Sequence, residues 1–110
     1  RALEDCGAAV ALAPGEVSIL DSHAFVLLRL GRVDEALAEY NRVLAEQPRL
    51  VASLYGRALA EARRGDVTAA DRDMAAALAI NGRVGDEFAP YVATLRPETL
   101  PTALRPGKPS

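Results

Sequence analysis

The chain has 110 residues, room for one small domain; half are hydrophobic, a quarter charged and only 5% aromatic. A net charge of −2 with a pI near 5.4 argues against nucleic acid as a partner, since its binders are usually strongly basic. No apolar run approaches the ~20 residues that span a bilayer, and no cationic start leads into an apolar segment and cleavage site.

The first periodic stretch is Ala2 to Ala13, where Ala2, Leu3, Cys6, Ala9, Val10 and Ala13 recur at steps of three and four. That is the stripe of an amphipathic helix. Pro14-Gly15 is read as its end, because proline disfavours helical geometry in the residue before it. A second helix is predicted from Val17 to Leu30, with Val17, Leu20, Ala24, Leu27 and Leu28 on one face. Gly31 supplies the turn, since a left-handed backbone costs glycine little.

The next helix is predicted from Val33 to Glu46, with Val33, Ala36, Leu37, Tyr40, Val43 and Leu44 as its apolar face. Asp34 and Glu35 sit in its first turn, where the helix dipole favours anions, and Pro48 closes it. The plan then repeats. Val51, Leu54, Ala58 and Ala62 form one stripe. After Gly65-Asp66, residues Val67, Ala70, Met74, Ala77 and Leu78 form another, with Asp66 as N-cap. A shorter helix is expected between Asp86 and Leu95, with Phe88, Val92 and Leu95 inward and Pro90 near its start. Residues 96–110 carry four prolines and read as an extended or disordered tail, in which Leu100 and Leu104 are the side chains able to dock.

The spacing is regular. Pro14, Pro48 and Gly82 stand 34 residues apart, as do Gly31 and Gly65. Ala2, Ala36 and Ala70 align in this register, and so do Cys6, Tyr40 and Met74. A fixed period of this length marks a stack of supersecondary units, none of which can bury its apolar face alone.

With turn glycines followed five residues later by Ala36 or Ala70, then Tyr40 or Met74, then Val43 or Ala77, then Pro48, the chain resembles the tetratricopeptide repeat (TPR) family. The resemblance covers Ala2 to Leu95. It departs from the family where Leu20 and Leu54 replace an early aromatic, Ala24 and Ala58 replace a glycine, and Gly82 replaces the closing proline. It implies an all-α fold, a right-handed superhelix (α-solenoid) of antiparallel helix hairpins. Residues 1–14 would be the second helix of a truncated repeat, 17–48 and 51–82 two repeats, 85–95 a capping helix, and 96–110 the tail. The edge carrying Leu3 and Val10 is then expected to self-associate.

The sequence offers little for catalysis. His23 and Cys6 are single, with no His or Cys at metal-ligand spacing, and no phosphate loop or nucleophile elbow is present. No cofactor, metal or enzymatic activity is read. Asp73 is expected to pair with Arg57 across its hairpin, as the resemblance also implies, and Glu61 to be satisfied by Arg57 or Arg64. By helix geometry Ser18, Asp21, Ser22, Phe25 and Arg29 share one face, and Ala52, Tyr55, Gly56, Leu59 and Arg63 the equivalent face of the next hairpin. In TPR-like stacks such faces line a concave groove. The groove expected here has Phe25, Tyr55 and Leu59 as apolar centre, Arg29 and Arg63 at one end and Asp21 at the other, an aromatic anchor with a charged rim. A carboxylate clamp is not implied, because Asp21, Phe25 and Gly56 hold its positions. The expected function is a protein-interaction scaffold that takes a peptide or helical segment. The alternative is a structural or regulatory segment of a larger protein whose groove is filled by its own chain, with Leu100 to Leu104 as candidate occupant.

Overall fold

A computed structural model describes residues 13–105, which are helical with no strand among the described residues. Four helices of similar length follow one another: α1 (Pro14–Arg29), α2 (Val33–Glu46), α3 (Val51–Arg64) and α4 (Val67–Ile80). A 3-10 turn (Val84–Glu87) leads into a one-turn helix α5 (Ala89–Val92), and two more 3-10 turns follow at Pro97–Thr99 and Thr102–Leu104. No helix among the described residues is long and apolar enough to cross a membrane. The stretch of 2–12, with the edge residues Leu3 and Val10, lies outside the described part.

The two long hairpins turn in the same way. Gly31 and Gly65 have φ of 84° and 94°, the left-handed region that glycine enters without a Cβ clash. After each, the next amide reaches back into the last turn: Arg32 N–H to Leu27 O and Asp66 N–H to Glu61 O, both at 2.9 Å. Asp66 caps α4, its carboxylate accepting from Ala69 N–H at 3.2 Å.

One start differs from expectation. α1 begins at Pro14 rather than Val17. Proline breaks a helix from inside but fits its first turn, where its missing N–H has no intrahelical acceptor to lose. The Glu16 carboxylate accepts from Ala13 N–H at 2.9 Å and fastens this first turn.

Consecutive helices pack against one another, α1 on α2, α2 on α3 and α3 on α4. The core between them holds Ala24, Leu28, Ala36, Tyr40, Leu44, Leu54, Ala58, Leu59, Met74 and Ala77. The small residues Ala24, Ala36, Ala58 and Ala70 are fully buried, so backbones come close where they sit. Tyr40 fills the junction between hairpins and lies where a Cβ on Gly56 would be, so that glycine is required by contact, not by turn geometry.

The C-terminal stretch is ordered further than a free tail would be. Leu100 and Pro101 are buried, and the turns at 97–99 and 102–104 rest on α3 and α4 respectively. Asp71 of α4 accepts from both the amide and the hydroxyl of Thr102 at 2.8 Å, which holds its carboxyl below the ordinary carboxylate range. Where 96–110 reads as an extended or disordered tail with Leu100 and Leu104 able to dock, the described part to Arg105 forms two 3-10 turns with Leu100 buried. The prolines end helices, but they also fix φ at about −65°, a value that 3-10 turns and polyproline segments share.

Candidate functional site

The six side chains predicted to line the groove lie on α1 and α3, and the structure sets four of them, Phe25, Arg29, Tyr55 and Arg63, against the segment 84–92. Phe25 meets two rings edge-on, Phe88 at 5.0 Å and Tyr91 at 5.6 Å between centroids. Tyr55 stacks on Phe88 at 4.7 Å. Four of the chain's five aromatic residues therefore form one cluster. Edge-to-face and offset contacts of this kind add about 0.5–1.5 kcal/mol each beyond area burial.

Beneath this cover Tyr55 is buried, which raises its phenol above its ordinary pKa; Leu59 is buried in the core. The Tyr55 hydroxyl lies 2.8 Å from where a Cβ on Gly85 would stand, so the 84–87 turn passes close over it. Arg63 is not a free rim cation. It donates to the Leu28 carbonyl at 3.1 Å and to the Tyr91 hydroxyl at 2.8 Å, and that hydroxyl donates on to the same carbonyl at 3.4 Å. The end of α1 is thereby tied to α3 and α5. Asp21 stands apart, half-buried, accepting from the buried Ser53 hydroxyl on α3. Arg29 alone keeps an exposed charge, its guanidinium 5.0 Å from the centre of the Phe25 ring.

What stays open beside this cluster is a cleft of about 420 Å³ lined by Phe25, Arg29, Glu87, Pro90, Tyr91 and Thr94. Four of its six walls come from the C-terminal segment and escaped the sequence reading. One signal was present: Phe88 and Tyr91 are two aromatics three residues apart in a chain with few. Of the candidate occupant Leu100 to Leu104, the turn 102–104 rests on α4, while Phe88 lies on Phe25 and Tyr55 and Tyr91 on Phe25.

A second, polar cleft of about 610 Å³ opens where α2 meets α3, lined by Leu37, Asn41, Glu61, Arg64, Gly65 and Asp66. At its back Arg57 grips Asp73 through two bonds of 2.8 and 3.0 Å, the expected pair, and donates a third to Asn41 at 3.0 Å. Glu61 lies 3.8 Å from Arg57, and its Oε1 is buried without a partner. Burial first, then the neighbouring Asp73, pushes the Glu61 carboxyl up to about 8. Asp73 goes the other way: burial opposes its charge, but the two bonds from Arg57, with the neighbouring Glu61, outweigh that and hold it below the usual range. Glu61 is thus the proton holder of the pair and Asp73 the anion.

The same register position in the first hairpin carries His23 and Glu39, 2.7 Å apart. Among the described residues no three His, Cys, Asp or Glu side chains gather as metal ligands would. No family of known proteins matches this chain, and neither does any curated protein or solved structure.

Proposed function

We propose that this chain is a non-enzymatic protein-interaction module, a TPR-like array of antiparallel helix hairpins stacked in a right-handed superhelix. The repetition of turn geometry and cross-hairpin pairing at a 34-residue interval supports the architecture. The observation that carries the binding role is the open cleft with Phe25, Pro90 and Tyr91 as apolar walls and Arg29 as its exposed cation. A partner segment would insert an aliphatic or aromatic side chain there and set an adjacent carboxylate on Arg29. Desolvated aromatic pockets with one charged edge are where interface energy concentrates.

A pool of short peptides pairing an apolar residue with Asp or Glu, titrated into isotope-labelled protein, tests this. Chemical-shift changes should centre on Phe25, Arg29, Tyr91 and Thr94. Arg29→Glu should weaken binding at least tenfold with the helical signal unchanged. Shifts that ignore this cleft, or a variant that binds as before, would overturn the groove reading.

A second reading has its own support: Phe88 already sits on Tyr55 and Phe25, as an intrachain occupant would. The module would then be a structural or regulatory segment with its groove closed. Phe88→Ala separates the two. Under closure by the chain itself it opens a strong site for an apolar dye and confers peptide binding absent before. Under the first reading it damages binding that was already there.

A further inference from the structure

The cleft beside the aromatic cluster carries two charges of opposite sign. Arg29 stands on its α1 side and Glu87 on the side of the C-terminal segment, and both are exposed. Among the described residues no ion pair joins them: the Arg29 guanidinium lies on the Phe25 ring instead. Glu87 ends the turn 84–87, just before Phe88, which is buried against Phe25 and Tyr55 and donates its N–H to Gly85 O at 3.0 Å. The backbone that carries Glu87 is thereby fixed on its own side of the cleft. Cations near it are committed elsewhere. Arg83 lies 3.5 Å from Asp86, Arg96 lies 3.9 Å from Glu98, and Arg63 donates to the Leu28 carbonyl and the Tyr91 hydroxyl. The uncharged side chains of the walls are satisfied too. Pro90 has no polar side-chain atom, the Tyr91 hydroxyl bridges Arg63 and the Leu28 carbonyl, and the Thr94 hydroxyl donates to Tyr91 O at 2.7 Å. The side chains of the cleft therefore offer a ligand an apolar floor, one cation and one anion.

We infer, resting on the binding role proposed above, that Glu87 makes this cleft selective for a peptide segment in which one acidic and one basic residue flank a single apolar residue. The apolar side chain enters between Phe25, Pro90 and Tyr91, the carboxylate meets Arg29, and the ammonium or guanidinium meets Glu87. The size of the cleft fits one such side chain. At about 420 Å³ it lies at the small end of ligand pockets, which run roughly 300–1,000 Å³, so the flanking residues stay at its rim. The charges also exclude near-miss partners. A segment with two acids sets a like charge on Glu87, and one with two bases sets a like charge on Arg29, and such juxtaposition is how an interface rejects the wrong partner. Both groups stand in water, so they act on selectivity and salt dependence more than on raw affinity.

Capped pentapeptides test this: Glu-Ala-Leu-Ala-Lys and its reverse, Glu-Ala-Leu-Ala-Glu, and Lys-Ala-Leu-Ala-Lys, each titrated by chemical shift into the isotope-labelled full chain. The better of the two mixed orders should bind about fivefold more tightly than either singly charged type at low salt. High salt should shrink that preference, because exposed pairs are screened. Glu87→Lys, at an exposed position, should move the preference to the doubly acidic peptide with the helical signal unchanged. Glu87→Gln should erase the discrimination between the mixed and the doubly acidic peptide. Equal affinity for those two in the unaltered chain, or a preference that Glu87→Lys does not move, overturns the inference while the aromatic cleft with Arg29 stands. Absence of binding by every peptide, or shifts away from Phe25, Arg29 and Tyr91, removes the binding role itself and this selectivity with it. Shifts at Phe25 and Tyr91 that follow protein concentration, with a dimer in light scattering, make a second copy the occupant and overturn it too.

Discussion

Two residues set the closeness of the hairpins. Tyr40 is buried at the junction and its hydroxyl has no hydrogen-bond partner among the described residues. Burial first, then the charge of Asp21, raises its pKa far above an ordinary phenol's. An unpaired buried hydroxyl costs about 1–3 kcal/mol. Tyr40→Phe should therefore leave stability unchanged or raise it. Gly56→Ala places a methyl group into the Tyr40 ring and should cost about 1–3 kcal/mol. Removing the hydroxyl relieves part of that crowding. In a denaturant-melt double-mutant cycle the two changes should couple favourably, because the residues touch. Simple additivity would show that Tyr40 moves aside.

Glu61 gives the junction a pH dependence of definite sign. Its carboxyl is held at about 8 in the fold, against 4.5 for the free group. Below about 4.5 both folded and unfolded chains carry the proton. Between 4.5 and 8 only the folded chain does, so this group's contribution is lost as pH rises across that window. Glu61→Gln keeps a donor toward Asp73 and removes the ionisation. The variant should match the parent near pH 4.5 and exceed it near pH 8 by about 1 kcal/mol, roughly 4–8 °C in Tm for a domain of this size. A parent whose Tm does not fall between pH 5 and 8, once compared with the variant, would contradict the protonated Glu61.

At the scale of helices, one device is used twice with different strength. Residues 16 apart clasp each hairpin, His23 to Glu39 in the first and Arg57 to Asp73 in the second. The first clasp is largely solvent-exposed, and exposed pairs contribute about 0–1 kcal/mol. The second is bidentate, has a buried carboxylate and adds Asn41 as a third member. Asp73→Ala takes the bidentate acceptor from half-buried Arg57, leaving it Asn41 and the more distant Glu61, and should cost about 3 kcal/mol. Glu39→Ala should cost less than about 1 kcal/mol. Equal losses in thermal melts would mean that burial does not rank these pairs.

Across the whole molecule, what could be read from the residues was what repeats. Gly31, Gly65, Pro48 and Asp66 mark helix ends by local chemistry, and a 34-residue interval makes each mark confirm another. Arg57 with Asp73 was legible for the same reason, since both lie on helices placed by that interval. What could not be read sits where the interval stops. Phe88 and Tyr91 belong to a stretch with no copy upstream, so nothing told which face of α1 and α3 they would cover. Their targets do not repeat either: Tyr55 aligns with Asp21, and Leu59 with Phe25. Pro14 misled because proline closes one helix and opens the next equally well, and only the neighbours decide which.

The Leu28 carbonyl gives this arrangement a direction in time. The hairpin clasps join residues 16 apart, whereas Arg63 reaches Leu28 across 35 residues and Tyr91 across 63. Closing a short loop loses little chain entropy, so contacts of small separation form early. The hairpins then stand before Tyr91 arrives, and Tyr91 finds its acceptor already in position. Opening runs in reverse. Segment 84–92 is expected to open at a free energy below that of global unfolding, baring Phe25 and Tyr55 while the helices beneath them hold; hydrogen exchange of its amides faster than that of α1 and α3 checks this. Access to the aromatic face is in this way a rate, set by how often one tyrosine lets go of a carbonyl at the end of α1.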